Sequence, residues 1–328
     1  MNQTLTNIPH LMVGHYTDWD AATGCTVVLC PQGAVAGVDV RGTAPGTRET
    51  DLLNPICRVE QVHAILLSGG SAFGLAAADG VMRWLEEHGY GLDVGVARVP
   101  IVPAAILFDL GLGRADVRPD ATAGYAACVA ATTAPVIQGN VGAGTGATAG
   151  KLLGFAQATK TGLGSACRDL GGGLQVAALV ALNPVGDVYD PQTQQIIAGA
   201  RLPDGQFADS LRVMTQLAHP QQDLTGQNTT LAVIATTAKL SKVTATKVAQ
   251  MAQDGLARTI RPAHTHWDGD TIFALSCGDI TINDVSLIGA IAAEVLAEAV
   301  MQAVRQAMPL HGLPSATSLG ERTAAGVN

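Results

Sequence analysis

Apolar residues recur along the chain at two spacings, which predict helices and strands. The clearest helix is predicted from Asn283 or Asp284 to about Met308, because its apolar residues recur every three or four positions. Three more helices are predicted at 71–87, 121–131 and 241–258, with Ser71 and Ser241 as the N-caps of the first and the last.

Short apolar runs between turn residues predict the strands. Two runs, 26–30 and 35–40, are interpreted as a buried hairpin that turns at Gln32-Gly33. Further strands are predicted at 63–67, 102–108, 174–182, 229–236 and 271–276. Strands alternating with helices predict sheets covered by helices, in one domain that spans residues 1–328.

A more polar stretch lies between the predicted strands at 174–182 and 229–236. It runs from Asp190 to about Thr225 and carries Pro203 and Gly205. We expect an exposed loop there, suited to processing of the chain.

Composition and charge exclude several classes of partner. Of 328 residues, 48% are hydrophobic and 14% are charged, so the chain can bury a large core. The net charge is −8 and no basic patch is present, which argues against nucleic acid and anionic membranes as partners. We recognise no signal peptide and no membrane-spanning run. The spacing of the six cysteines favours free thiols in the cytoplasm.

A polar turn that leads into a strand provides a candidate nucleophile. In Asn228-Thr229-Thr230, the strand would hold the Thr229 hydroxyl at a rigid edge. If the Asn228–Thr229 peptide bond is held out of its relaxed geometry, that hydroxyl can attack the Asn228 carbonyl. Hydrolysis of the ester would free the α-amine of Thr229, whose ordinary pKa of about 8 suits a base. Taken alone, this tripeptide is more often an ordinary turn.

Two histidines and two aspartates share the segment His264-Thr-His266-Trp-Asp268-Gly-Asp270. A metal site is the minor alternative here, because the spacing sets no third ligand and Asp-Gly-Asp is also a plain turn. The two carboxylates have another use, since they can orient the Thr229 ammonium and receive a cationic substrate amine. We expect neither a metal nor another cofactor.

A glycine-rich segment, 139–151, is interpreted as a pocket wall. It matches the dinucleotide fingerprint weakly and lacks residues that a phosphate loop needs. Gly144, Thr145 and Gly146 are therefore predicted to line the substrate pocket, with Lys151 directed into the cavity. A solvated lysine after a loop is the plainer alternative.

Asn183 ends the predicted buried strand 174–182. Its side-chain amide can donate a hydrogen bond to a developing oxyanion. On its own, an Asn-Pro turn is the commoner use of this dipeptide.

The order of these motifs closely resembles that of the DmpA-type self-processing peptidases. This family includes L-aminopeptidase/D-esterases, β-peptidyl aminopeptidases and the hydrolases NylC and ThnT. The resemblance extends from about Gly14 to Met308. It is carried by Leu67-Ser-Gly-Gly-Ser-Ala-Phe-Gly-Leu75, Val141-Gly-Ala-Gly-Thr-Gly-Ala-Thr148, Asn183-Pro-Val-Gly186, Asn228-Thr-Thr230 and Asp268-Gly-Asp-Thr271.

The resemblance implies an α+β fold, namely a four-layer αββα sandwich. It also implies autoproteolysis into an α subunit, 1–228, and a β subunit, 229–328, with Thr229 as the nucleophile. The Asn-Thr-Thr junction looks more like the NylC and ThnT branches than the Gly-Ser junction of DmpA. Relatives are commonly homotetramers of processed units, and we expect that assembly here.

The resemblance further implies roles for individual residues. Lys151 matches an active-site lysine, Asn183 the oxyanion asparagine, and Asp268 and Asp270 the acidic pair near the nucleophile. Phe108 is also expected to line the substrate pocket, and it stands where some relatives carry a tyrosine that donates to the oxyanion, which phenylalanine cannot do.

The expected function is therefore an aminopeptidase-type hydrolase of small peptides or amides, with an N-terminal threonine nucleophile. Two alternatives stay open. One is an acyl transferase of the ornithine-acetyltransferase type, and the other is a non-cleaving small-molecule-binding protein of the same fold. A nucleotide-binding protein is a distant third.

Overall fold

The computed structural model of the chain describes residues 3–216 and 228–325. The strands are β1 Met12–Asp18, β2 Thr23–Val40, β3 Thr47–Arg48, β4 Gln61–Ser68, β5 Leu92–Asp93, β6 Arg98–Val99, β7 Ala104–Ile106, β8 Thr148–Ala149, β9 Thr159–Lys160, β10 Leu163–Asp169, β11 Gln175–Asn183, β12 Asp187–Tyr189, β13 Ile196–Ala198, β14 Thr229–Ala238, β15 Ile260–Arg261 and β16 Thr271–Ile280. The helices are α1 Ala77–Glu87, α2 Ala121–Val129, α3 Ser210–Gln216, α4 Lys242–Thr259, α5 Val285–Arg305 and α6 Ala316–Ala325.

The main strands form two sheet halves that share strand β2. Their order is β10-β11-β14-β16-β2-β4-β7-β3, with β1 also paired to β2. The end of β2 near Val40 pairs with β16, and the end near Thr23 pairs with β1. Leu231 of β14 and Ile65 of β4 belong to one apolar core, so the two halves lie face to face.

Helices cover the outer face of each half. Residues of α4 and α5 pack with the outward residues of β11, β14 and β16. Residues of α1 and α2 pack with the outward residues of β2 and β4. The expected four-layer αββα sandwich is therefore confirmed.

The predicted hairpin at 26–30 and 35–40 is wrong. The two runs are one continuous strand, and its register against β4 shifts between Leu29 and Ala34. Gly33 has a φ of 90°, a backbone conformation that glycine adopts without strain. Gln32-Gly33 thus marks an irregularity in β2 between its two sheet halves rather than a chain reversal.

The start of the helix predicted at 71–87 also differs from expectation. Residues Ser71–Ala76 form 3-10 turns before α1 begins. Ser71 has a φ of 53°, its N–H donates to Leu107 O, and the turn has Gly70 as its N-cap. The serine therefore holds the strand-to-helix turn instead of capping a helix.

The remaining helix predictions agree with the structure to within a few residues. Ser241 caps α4 with a reciprocal bond to Thr244, and the Asp284 carboxylate caps α5. By length and composition α5 could cross a membrane, but 67% of its apolar window is buried against the sheet. It is accordingly the central helix of a core.

Within the polar stretch 190–225, the structure contains β13 and α3, and residues 217–227 lie outside the described residues. The six cysteines are free thiols, three of them buried.

Candidate active site

Strand pairing places Thr229 and Asn183 opposite each other. They are cross-strand neighbours where β11 meets β14, and both are almost completely buried. Side chains of neighbouring strands in register share a face of the sheet. Leu231 and Ala181, two residues further along each strand, belong to the core between the sheets. Thr229 and Asn183 therefore point into the space between the two sheet halves.

The peptide bond between Asn228 and Thr229 is held from both sides. The Thr229 hydroxyl donates to the carbonyl oxygen of Asn228, and the N–H of Gly269 donates to the same oxygen at 3.1 Å. A backbone N–H aimed at a carbonyl oxygen stabilises the negative charge that grows there during attack. The hydroxyl and the carbonyl group are thus placed together with a donor for the oxyanion.

The Asn183 carboxamide has one orientation in this structure. Its Oδ1 accepts from Thr148 N at 3.0 Å and from Lys151 Nζ at 2.9 Å, and the backbone N–H of Thr148 can only donate. Its Nδ2 donates to Phe108 O at 3.0 Å. Because Nδ2 carries two hydrogens, the second one can serve an oxyanion.

Lys151 is fully buried and its ammonium is surrounded by oxygen atoms. The plainer alternative, a solvated lysine, is therefore wrong. The ammonium donates to Thr148 O, Thr148 Oγ1, Asn183 O, Asn183 Oδ1 and Pro184 O, at 2.7 to 3.2 Å. Burial lowers the pKa of Lys151 to about 7, against the opposing attraction of Asp268. A lysine in this state can both hold Asn183 and exchange a proton near neutral pH.

The two aspartates lie on the other side of strand β14. Asn228 bridges to Asp268, which places Asp268 and Asp270 in register with Asn228 and Thr230. Ala232 and Ile272, next on that face, pack against the helices. The carboxylates are thus separated from the Thr229 hydroxyl by the strand and adjoin the backbone around it.

Both carboxylates hold backbone groups around the junction. Asp270 Oδ1 accepts from Thr230 N at 2.6 Å, and its Oδ2 accepts from His264 Nδ1 at 2.7 Å. Asp268 accepts from Val185 N and from the N–H and hydroxyl of Thr265. Burial, together with the neighbouring charge of Asp270, raises the pKa of Asp268 to about 6.

The two histidines near the aspartates have separate partners. His264 contacts Asp270, whereas His266 Nδ1 lies 3.0 Å from Thr43 Oγ1. They lie in an irregular segment before β16 and not on a strand. In residues 3–216 and 228–325, no group of three or more metal-type side chains comes together.

The residues predicted to line a pocket have different surroundings. Gly144, Thr145 and Gly146 are fully buried, and a Cβ on either glycine would lie within 2.2 Å of backbone atoms. Phe108 is half-buried, with its ring 6.2 Å from that of Phe155. The glycine-rich loop is therefore packed against backbone, and it supports Asn183 through the N–H of Thr148.

Some groups of the site were not foreseen in the sequence. The N–H of Gly269 carries no side-chain signature, and its role follows only from the pairing of Asn228 with Asp268. Thr148 lies in a motif that was noted for its glycines. The sequence suggests His264 only as a metal ligand. Its bond to Asp270 depends on the turn at 264–267.

Comparison with known proteins agrees with the fold and identifies the family. The model of Peptidase family S58 matches residues 3–320, so the chain belongs to this family. Membership makes it a hydrolase of the peptidase class, as expected from the resemblance.

Relatives with the same extent are known from several bacteria. The chain is 44% identical over 339 residues to an uncharacterized aminopeptidase of Mycobacterium tuberculosis (strain ATCC 25618 / H37Rv), covering 95% of this chain and 96% of the relative. It is 33% identical over 324 residues to the 6-aminohexanoate-oligomer endohydrolase of Kocuria sp. (strain KY2), covering 91% and 85%.

Solved structures share the fold at lower identity. The L-aminopeptidase D-Ala-esterase/amidase of Ochrobactrum anthropi has a TM-score of 0.74 at 19% identity, covering 98% of this chain and 93% of that one. The β-aminopeptidase of Burkholderia sp. has a TM-score of 0.70 at 22% identity, covering 99% and 94%. The first is described as a variant of the Ntn-hydrolase fold.

Proposed function

We propose that the chain is a self-cleaving amide hydrolase whose nucleophile is Thr229. The observation that carries the proposal is the hydrogen bonding of the Asn228 carbonyl oxygen, which receives the Thr229 hydroxyl and the Gly269 N–H. Cleavage gives an α subunit, 1–228, and a β subunit, 229–328, which fold as one domain.

The first cut is an acyl shift followed by hydrolysis. The Thr229 oxygen bonds to the Asn228 carbonyl carbon and its proton passes to a base, while the Gly269 N–H holds the oxyanion. The C–N bond then breaks and the Thr229 nitrogen takes up a proton. Water hydrolyses the ester, which leaves the Asn228 carboxylate and a free Thr229 amine.

The proton acceptor of the first cut is Lys151, because the α-amine does not yet exist. Its lowered pKa of about 7 gives a neutral fraction at physiological pH. It acts on this face of the sheet, where it contacts the Asn183 carboxamide at 2.9 Å.

The processed enzyme uses the same face for its substrate. Thr229 attacks a substrate amide, the α-amine takes the proton, and Asn183 Nδ2 donates to the oxyanion. Phe108 has no phenol to donate, and its carbonyl oxygen accepts from Asn183 Nδ2. Asp268 and Asp270, on the opposite face of β14, hold the backbone that carries the new ammonium, and the expected contact with a substrate amine does not follow from their place.

The substrates in this proposal are small peptides or amides, since the relatives include aminopeptidases and an amide-oligomer hydrolase. The reaction needs neither metal nor cofactor, because every step uses groups of the chain. The assembly is a homotetramer of processed units and the location is the cytoplasm, in keeping with free cysteines.

The test compares three variants of strand β14 with the wild type. Thr229→Ala is expected to remain a single uncut chain without amidase activity, and Thr229→Ser to be cut and to retain activity. Thr237→Ala is the matched control, since Thr237 is a buried threonine near the far end of the same strand. Denaturing gels, N-terminal sequencing and hydrolysis of amino-acid amides give the readout. A cut or active Thr229→Ala protein contradicts the proposal.

A further inference from the structure

A second buried lysine and a second buried carboxylate lie outside the site just described. Lys160 and Asp109 are both buried, with relative exposures of 0% and 2%. Both contact the glycine-rich loop 142–148 that supports Asn183. Their contacts explain the glycines of the motifs at 67–75 and 141–148, which have no direct part in the proposed chemistry.

Asp109 lies between the two glycine motifs. Its Oδ1 accepts from Gly70 N and its Oδ2 from Thr23 Oγ1, each at 2.7 Å. A Cβ on Gly69 would lie 2.0 Å from Asp109 Oδ2, and a Cβ on Gly146 would lie 2.5 Å from Asp109 Cβ. Glycine is thus required at both positions for the carboxylate to occupy this place.

Lys160 fastens the other side of the glycine-rich loop. Its ammonium donates to Gly144 O at 3.1 Å, to Ala147 O at 3.0 Å, and to Thr161 O. The loop is thereby tied to strand β9. These bonds fix the backbone immediately before Thr148.

Asp109 is adjacent in the chain to one partner of the Asn183 carboxamide, and Lys160 donates to the residue that precedes another. Phe108, whose carbonyl accepts from Asn183 Nδ2, directly precedes Asp109. Thr148, whose N–H donates to Asn183 Oδ1, directly follows Ala147. Both ends of the carboxamide are therefore held by segments that Asp109 and Lys160 anchor.

The charges of Asp109 and Lys160 support one another. Burial is the main cause that raises the pKa of Asp109 to about 6, and the attraction of Lys160 opposes it. Burial likewise lowers the pKa of Lys160 to about 7, opposed by Asp109. Removing one partner leaves the other charge buried with less compensation.

We propose that Asp109 and Lys160 are positioning residues, which fix the two segments that hold the Asn183 carboxamide in its oxyanion-binding orientation. The effect on rate rests on the proposed function, whereas the effect on geometry does not. Misplacing a donor by about 1 Å can cost a hundredfold in rate.

Two substitutions of Asp109 separate its hydrogen bonds from its charge. Asp109→Asn keeps an oxygen acceptor for Gly70 N and a polar group for Thr23, and Asp109→Leu removes both. We expect kcat for amide hydrolysis to fall roughly tenfold to a hundredfold in Asp109→Leu, and by less than about threefold in Asp109→Asn. KM should change little in either variant. Equal kcat values for the two variants contradict the proposal.

Lys242 supplies the matched control for Lys160. It is also a buried lysine, and its ammonium donates to Leu52 O, Cys57 O and Val59 O at 2.9 to 3.0 Å. Lys160→Met and Lys242→Met should lower the melting temperature to a similar extent, but only Lys160→Met should lower kcat. If kcat follows melting temperature in both, Lys160 has only a structural role and the proposal fails.

Crystal structures of the wild type and of Asp109→Leu test the orientation of the Asn183 carboxamide directly, without an activity assay. The proposal predicts that the 3.0 Å bond between Asn183 Nδ2 and Phe108 O is lost or rotated in the variant. An unchanged carboxamide overturns it. A wild type that is neither cut nor active contradicts the proposed function instead, and leaves this structural comparison decisive.

Discussion

The Asn228 carbonyl oxygen lies between the Thr229 hydroxyl on β14 and the N–H of Gly269 in the segment before β16. This arrangement forms only where β14 and the segment before β16 run in parallel, with Asn228 bridged to Asp268. At the scale of single residues, the hydrogen bonding of the Asn228 carbonyl therefore depends on the register between β14 and the segment before β16. Thr230, the next residue, has the same side chain but faces the helices.

The protonation state of Lys151 should control the rate of the first cut. Below its pKa of about 7 the ammonium cannot accept the Thr229 proton, and above it the neutral amine can. In freshly synthesised chain we expect the rate of self-cleavage to rise roughly tenfold from pH 6 to pH 8, with most of the rise below pH 7, and to level off above about pH 8.

Lys151→Met should be cut slowly at every pH, without this rise, and Lys242→Met should keep the wild-type profile. Intact-mass time courses at several pH values provide the measurement. A rise of wild-type size in Lys151→Met would mean that another group takes the proton.

The sequence was sufficient to select Thr229, Asn183 and Lys151 as site residues, because each lies in a motif of the recognised order. Asn183 lies opposite Thr229, and Lys151 contacts Asn183, so the structure brings these three predicted residues together. It did not reach Asp109 or Lys160, because no motif of the sequence includes either residue. Their importance depends on contacts between residues far apart in the chain, and neither the periodicity of apolar residues nor the spacing of motifs predicts such contacts.

At the scale of elements, β2 shows why local pattern was insufficient. Gln32-Gly33 between two apolar runs has the composition of a hairpin turn, so the local sequence alone predicts a hairpin. In the fold each end of β2 has its own partners, β1 and β4 at one end and β16 at the other. Pairing with distant strands decides between a turn and an irregular strand.

Helix α4 is predicted to depend measurably on its capping box. Ser241 Oγ accepts from Thr244 N, and Thr244 Oγ1 accepts from Ser241 N. Ser241→Ala should lower the free energy of unfolding by about 1 kcal/mol and leave self-cleavage unchanged, because the cap lies at the exposed end of the helix.

Val243→Ala is the control, since Val243 is an exposed residue of the first turn of the same helix and should change stability by less than about 0.5 kcal/mol. Urea unfolding of both variants in a Thr229→Ala background avoids the complication of a cut chain. Equal stability of Ser241→Ala and its parent would show that the cap is dispensable.

At the scale of the whole molecule, two buried lysines make stability depend on alkaline pH. Lys151 and Lys160 each have a pKa of about 7 in the fold, below the ordinary 10.5. Between these values the unfolded chain binds protons that the folded chain does not. These two lysines therefore contribute stability that grows with pH across this window.

Lys160→Met should reduce that rise, since methionine does not titrate. In a Thr229→Ala background, we expect the gain in melting temperature between pH 7 and pH 10 to be smaller in Lys160→Met than in its parent. Lys247→Met removes an exposed lysine and should keep the full gain. An unchanged gain in Lys160→Met would show that Lys160 does not titrate in this range.

Two sheet halves enclose the proposed nucleophile. Thr229 is only 2% exposed, so under the proposed function the cut must also open the site to substrate. The large apolar cores on either side of β14 would keep the strand in place after such a cut.

Intact-mass spectrometry of freshly synthesised wild-type chain, followed over hours at pH 8, tests the central claim most directly. The account predicts that the full-length mass is replaced by two masses, for 1–228 and 229–328, whose sum equals the full chain plus one water. Amidase activity should rise in step with the two fragments. A chain that stays whole, or one that is cut at another bond, contradicts it.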